Sequence, residues 1–251
     1  MTPTETGMLI LGGVAVLAIT AYIVQSIESQ RRARRMRLLA LKDQIRRADH
    51  LLASLPSFYV TPDMRNLLIR YMEKRWRLVM ELDANPVHGR ELERLNGIAA
   101  QPFDPGQYPQ GSLTHSDTRD NARRNRALIR ELAQFITDLQ KQNQVNKNTA
   151  QEMIRHLKQS YTRLTIELEL MDAQQTEEVA GPQVALHSYK SALTRLQGFN
   201  NAYQIDAQIF ALTRKIEQCE KIAEEIRQQQ EAEQKARDQA EREREQRERY
   251  R

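Results

Sequence analysis

The sequence predicts an all-α fold: an N-terminal single transmembrane helix, then an elongated antiparallel helical bundle or coiled coil with a long charged C-terminal helix. Three observations predict it. The stretch 7–24, GMLILGGVAVLAITAYIV, carries no charge; as a helix it would reach about 27 Å, near the hydrocarbon thickness of a bilayer. The chain is poor in helix breakers, with 9 Gly and 8 Pro in 251 residues, and rich in Leu, Ala, Gln, Glu and Arg, which disfavours sheet-rich and nucleotide-binding α/β folds. Beyond residue 150, apolar residues recur in alternating steps of three and four, the spacing of a heptad seam.

The apolar stretch has two competing readings. A cleaved signal peptide needs a basic leader, but the six residues before Gly7 hold no Lys or Arg. A buried core helix would show a polar face, and none is visible. A transmembrane helix over 7–25 is the expectation, preceded by a short extracytoplasmic N-terminus at 1–6. Arg31, Arg32, Arg34, Arg35, Arg37, Lys42, Arg46 and Arg47 follow it closely. The positive-inside rule then places the N-terminus outside and the C-terminal domain in the cytoplasm, with those cations facing lipid head groups.

The net charge of +5 is local. Residues 1–47 hold eight basic and three acidic groups, so 48–251 balance at 30 and 30. A nucleic-acid-binding domain normally carries a basic face of its own, and this distribution argues against one. One cysteine, Cys219, excludes an intrachain disulfide framework.

The elements follow in order. A basic juxtamembrane helix over 26–55 presents Leu38, Leu41, Ile45, Leu52 and Leu55. A helical segment over 61–100 restarts at Thr61-Pro62-Asp63, breaks at Asn85-Pro86 and resumes with Leu92, Leu95 and Ile98. A Pro/Gly linker spans 101–116, where Phe103 and Tyr108 either pin the loop or face a partner. Helical bundle or coiled coil is expected over 117–227. The residues Thr114 to Asp117 resemble a capping box, and Thr149 with Glu152 form a second. The last helix repeats Ile205, Ile209, Leu212, Ile216, Cys219, Ala223 and Ile226 without a fault. That seam can pair within one chain or between chains. A charged helical tail over 228–251 carries acid-first i,i+4 pairs such as Glu231–Lys235, Asp238–Arg242 and Glu243–Arg247, each worth about 0.3 kcal/mol.

No nucleotide-binding or nucleophile motif is present, and the five histidines are scattered without ligand spacing. The expectation is a protein that is not an enzyme and needs no cofactor or metal. Two patches remain. Arg119, Arg123, Arg124, Arg126 and Arg130 crowd the start of one helix, against its dipole, as candidates for contact with an acidic partner or phosphate. Lys74-Arg75-Trp76-Arg77 places the single tryptophan among cations, where it stacks on a base, sits at the lipid interface or packs on the core.

The layout resembles that of bacterial membrane-tethered division and envelope scaffolds, a likeness of architecture carried by no motif. The expected function is a single-pass, inner-membrane-anchored helical scaffold or adaptor that recruits or spaces a protein assembly at the cytoplasmic face. Protein partners would bind through helical faces, with a homo-oligomer among the options. The alternatives are a membrane tether for nucleic acid through the basic patches, or an extracytoplasmic spacer if the topology is reversed.

Overall fold

The computed structural model describes residues 3–199 and 205–249, and the side chains of 22–199 and 205–244. Among these residues the chain is helical without strands: α1 (Pro3–Ser54), a 3-10 turn at Ser57–Tyr59, α2 (Pro62–Leu82), α3 (Pro86–Ala100), α4 (Arg119–Lys141), α5 (Lys147–Ala180), α6 (Pro182–Gln197) and α7 (Asp206–Arg249).

The expected transmembrane helix over 7–25 is not upheld. Among the described residues, no helix is long and apolar enough to cross a membrane. The apolar stretch opens α1, an unbroken helix of 52 residues, and the described part of α1 brings Glu28 and five arginines within four turns of Val24. The side chains of 7–21 lie outside the described residues. The membrane, single-pass and inner-membrane readings fall with the span.

Helix starts follow local capping chemistry. The Asn85 side chain accepts from Val87 N ahead of Pro86, and Pro62 and Pro182 each open a helix where a missing N–H costs nothing. α4 starts later than the sequence suggests: Thr118 is its cap, accepting from Asn121 N, whereas the Thr114 hydroxyl donates to Ser116 O inside the preceding loop. α5 starts earlier, because Asn146 accepts from Asn148 N and places Thr149 inside the first turn. Gly181, at φ +90°, makes the break between α5 and α6 in a conformation that L side chains rarely adopt.

The chain divides into two compact units, residues 1–54 with 62–103, and residues 55–61 with 104–251. In each, helices pack in chain order. In the first unit, α1 pairs with α2 and α2 with α3. Gln44 Oε1 accepts from Arg75 Nε at 2.7 Å and Arg34 reaches Leu82 O, so α1 and α2 run antiparallel. The core holds Ala48, Leu51, Met64, Leu68, Met72 and Leu95.

In the second unit α4, α5, α6 and α7 pack pairwise in sequence. Arg130 meets Tyr161 and Arg119 meets Asp172; Arg195 meets Glu169; Lys190 meets Glu220. Each pairing sets its two helices antiparallel. The core is supplied by Ile166, Leu170, Tyr189, Leu196, Leu212 and Ile216, among others. Consequently α5 and α7 both lean on α6 and run in the same direction, bridged by long side chains such as Lys215 to Glu177 at 2.7 Å.

Candidate interaction site

The heptad seam of α7 packs within its own chain. Ile205, Leu212, Ile216 and Cys219 are buried, and Ile209, Ala223 and Ile226 are half-buried. Leu212, Ile216 and Cys219 share one cluster with Tyr189, Ala192 and Leu196 of α6. Of the two pairings open at the sequence level, the buried seam residues Leu212, Ile216 and Cys219 take the one within the chain. Cys219 Sγ lies 3.7 Å from Glu177 Oε1, and burial followed by that carboxylate pushes the thiol up from its ordinary value. Glu177 also accepts from Tyr189 Oη at 2.8 Å and Lys215 Nζ at 2.7 Å. Burial works against its charge, but those donors outweigh it and hold the carboxyl below its usual range.

Past Ile226 the same helix changes character. Every described residue from Arg227 to Arg244 is exposed, a length of about 27 Å. Arg227 pairs with Glu224 at 3.0 Å and with Glu231 at 3.7 Å, both on its own helix. Large apolar side chains are exposed nearer the bundle: Phe210, Ile222, Val184 and Val179.

The segment over 101–116 is pinned at its centre and C-terminal end. Tyr108 and Leu113 are buried, and the anchor is a residue that sequence reading missed. Arg163 of α5 is 3% exposed. Its guanidinium lies 4.7 Å from the ring centroids of both Phe58 and Tyr108, and its Nε donates to Gln208 Oε1 at 3.1 Å. Gln208 of α7 in turn donates to Leu113 O at 2.8 Å. Glu167, fully buried one turn on, sits 3.8 Å from Arg163 Nε and accepts from Ser116 N at 3.4 Å. Burial raises Glu167 to about 7, against the pull of Arg163. Burial likewise lowers Arg163 and raises Tyr108 and Tyr59, and it lowers His115, which stacks on Phe58 at 4.4 Å. The sequence does hold a signal: Arg163 and Glu167 flank a second apolar stripe, Ile166–Leu170–Ala173, that a helix buried on two sides requires.

The arginines predicted to meet an acidic partner or phosphate are largely engaged inside the chain. Arg119 pairs with Asp172 and donates to Gln175. Arg123 lies 3.9 Å from Asp120. Arg126 and Arg130 both lie 5.6 Å from the Tyr161 ring centroid, and Arg130 donates to its hydroxyl at 2.8 Å. That donor holds the Tyr161 phenol below its ordinary value. Arg124 is exposed. The charge that opposes the α4 dipole is thus met partly by Asp172 of α5 and partly by Asp120 of α4 itself.

Of the cations expected at the membrane, Arg31, Arg32, Arg34, Arg35, Arg37, Arg46 and Arg47 are exposed and Lys42 is half-buried. Arg32 pairs with Glu28 and Arg46 with Asp43, while Arg34 caps α2. Their lipid contact depended on the overturned span. Trp76 is packed against His88 at 5.3 Å, and His88 meets Asp83 at 3.0 Å. This is the core-packing alternative for the tryptophan, with its ring turned inward.

The chain matches no known family, and comparisons with curated proteins and with solved structures find nothing similar.

Proposed function

We propose that the chain is a non-enzymatic helical scaffold or adaptor that holds protein partners on its helical faces. One observation carries this reading: α7 is a single helix of two halves, one built into a core and one exposed at every described side chain from Arg227 to Arg244. An isolated helix gains stability from i,i+4 pairs of about 0.3 kcal/mol each. The exposed half has several, with acids N-terminal to bases, and can hold its shape without a partner. A preformed helix binds with less loss of conformational freedom than a disordered segment.

Photo-crosslinking amino acids placed at Gln229, Ala236 and Ala240 of the full-length chain, in its native cell, test this directly. Discrete adducts with one or a few proteins are expected from at least one position, and co-purification of those proteins with the chain should be lost when residues 228–251 are deleted. The absence of adducts from all three positions, with a deletion that leaves every interaction of the chain intact, would sink the reading.

A further inference from the structure

A groove of about 920 Å³ opens in the second unit where α7, α5 and the loop preceding α4 meet. It exists because α5 and α7 both pack on α6 and leave a channel between them. On α7 the lining residues Ala207, Ala211, Arg214 and Gln218 recur in steps of four, three and four, with Phe210 beside them. They mark one face about 16 Å long. Gln174 supplies the α5 wall, and Gln110 to Leu113 close one end.

Three features define what fits. The floor is apolar and shallow: two alanines, Leu113 and the ring of Phe210, which is 59% exposed. Large exposed aromatics are common anchors in interfaces and gain by being covered. The lining is cationic, containing Arg214 and Lys215 and no Asp or Glu. Lys215 is already neutralised by Glu177. Arg214 has no carboxylate partner among the described residues; its guanidinium rests 4.6 Å from the Phe210 ring centroid. A guanidinium stacked on a ring keeps its in-plane N–H fork available for a carboxylate. Three glutamines, Gln110, Gln174 and Gln218, offer amides that donate and accept along the rim. One acid, Asp206, lies in a shallower hollow that shares Gln110 and Ala207 with the groove, so the positive end is the one at Arg214.

We infer that this groove is a docking site for an acidic, amphipathic segment of a partner protein, one apolar side chain covering Phe210 and one carboxylate meeting Arg214. The inference rests on the adaptor reading and gives it a second, more specific surface than the exposed half of α7. Charge complementarity makes the segment acidic, and the exposed ring makes it amphipathic.

The test pans a displayed library of random 16-residue peptides against the full-length chain. Winners are then measured against Phe210→Ala and Arg214→Glu. Both residues are exposed, and far-ultraviolet circular dichroism confirms that each variant keeps its helices. Selected peptides should pair Asp or Glu with a large apolar residue. Their affinity should fall at least tenfold in each variant, and Arg214→Lys should recover only part of it. Peptides that bind both variants as well as the parent overturn the groove while leaving the adaptor reading standing. A library that yields no binder on any face overturns both. A parent chain that sediments as a dimer while Phe210→Ala sediments as a monomer assigns the groove to a second copy and overturns the inference.

Discussion

In the first unit Arg34 and Arg65 work at helix ends; in the second Arg163 works in the core. Neither α2 nor α3 has a basic residue in its last turn, where exposed carbonyls carry partial negative charge. Arg34 donates to Leu82 O at the end of α2. Arg65 donates to Ile98 O and to Gln101 O, closing α3, with its guanidinium 5.8 Å from the Phe103 ring centroid. These guanidiniums stay at least partly wet. Arg163, by contrast, is taken out of water between two aromatic rings and beside a buried acid. The difference teaches that one residue type fills two physical roles. At a helix end its loss frees carbonyls that water can solvate. In a core its loss strands a carboxylate that water cannot reach.

The comparison can be broken or sharpened by experiment. Trp76 is the only tryptophan and sits in the first unit, so its emission follows that unit while circular dichroism follows both. Arg163→Ala should show the largest effect, a loss of about 4 kcal/mol from the second unit, since it leaves Glu167 buried without its cation. In urea, the dichroism transition should shift and the Trp76 transition should not. Equal shifts in both would break the division.

Protons give the next effect. The folded Glu167 titrates at about 7, above its ordinary 4.5. Between those values the folded chain binds more protons than the unfolded one, so this group's contribution is fully present below 4.5 and declines as pH rises through 7. His115 and His156, both lowered by burial, act in the opposite direction below their ordinary range. A difference experiment isolates the acid: relative to the parent, Glu167→Gln should gain about 3 kcal/mol between pH 4.5 and 7.5. A pH-independent difference would remove Glu167 as the source.

Arg34→Ala and Arg65→Ala should each cost the first unit about 1 kcal/mol, read by the Trp76 transition. Losses near 4 kcal/mol would erase the contrast with Arg163. The smallest change is expected on deleting 228–251: under about 0.5 kcal/mol in the dichroism midpoint of the second unit, because no described residue from Arg227 to Arg244 is buried.

Much of the fold was legible where chemistry is local. Pro62, Asn85-Pro86 and Gly181-Pro182 marked helix boundaries because capping and proline geometry act within a few residues. The α7 seam was visible as a pattern, but its partner was not, because identical heptads serve intrachain and interchain packing. Thr114 and Thr149 were read as caps, yet Thr118 and Asn146 do the capping; several Ser, Thr and Asn side chains compete at each start, and loop geometry decides. Arg163 and Phe210 were passed over for opposite reasons. An arginine beside a second apolar stripe reads as a solvated flank until Phe58 and Tyr108 arrive from distant sequence to cover it. A lone phenylalanine between seam residues reads as core until the structure leaves it in a groove. The apolar run at 7–24 pointed to a membrane by composition, and among the described residues no helix is long and apolar enough to cross one.

The continuity of α7 fixes more than distance. Its buried half is keyed to α6 by Leu212, Ile216 and Cys219, and no break intervenes before the exposed half. The compass bearing of each exposed side chain is therefore set by the bundle. One residue inserted after Arg227 would turn everything beyond it by about 100° while lengthening the helix by only about 1.5 Å. Seven inserted residues would restore the bearing to within about 20° and add about 10 Å. The helix is thus a shaft with a defined angular phase, and any partner reading it senses rotation far more acutely than reach.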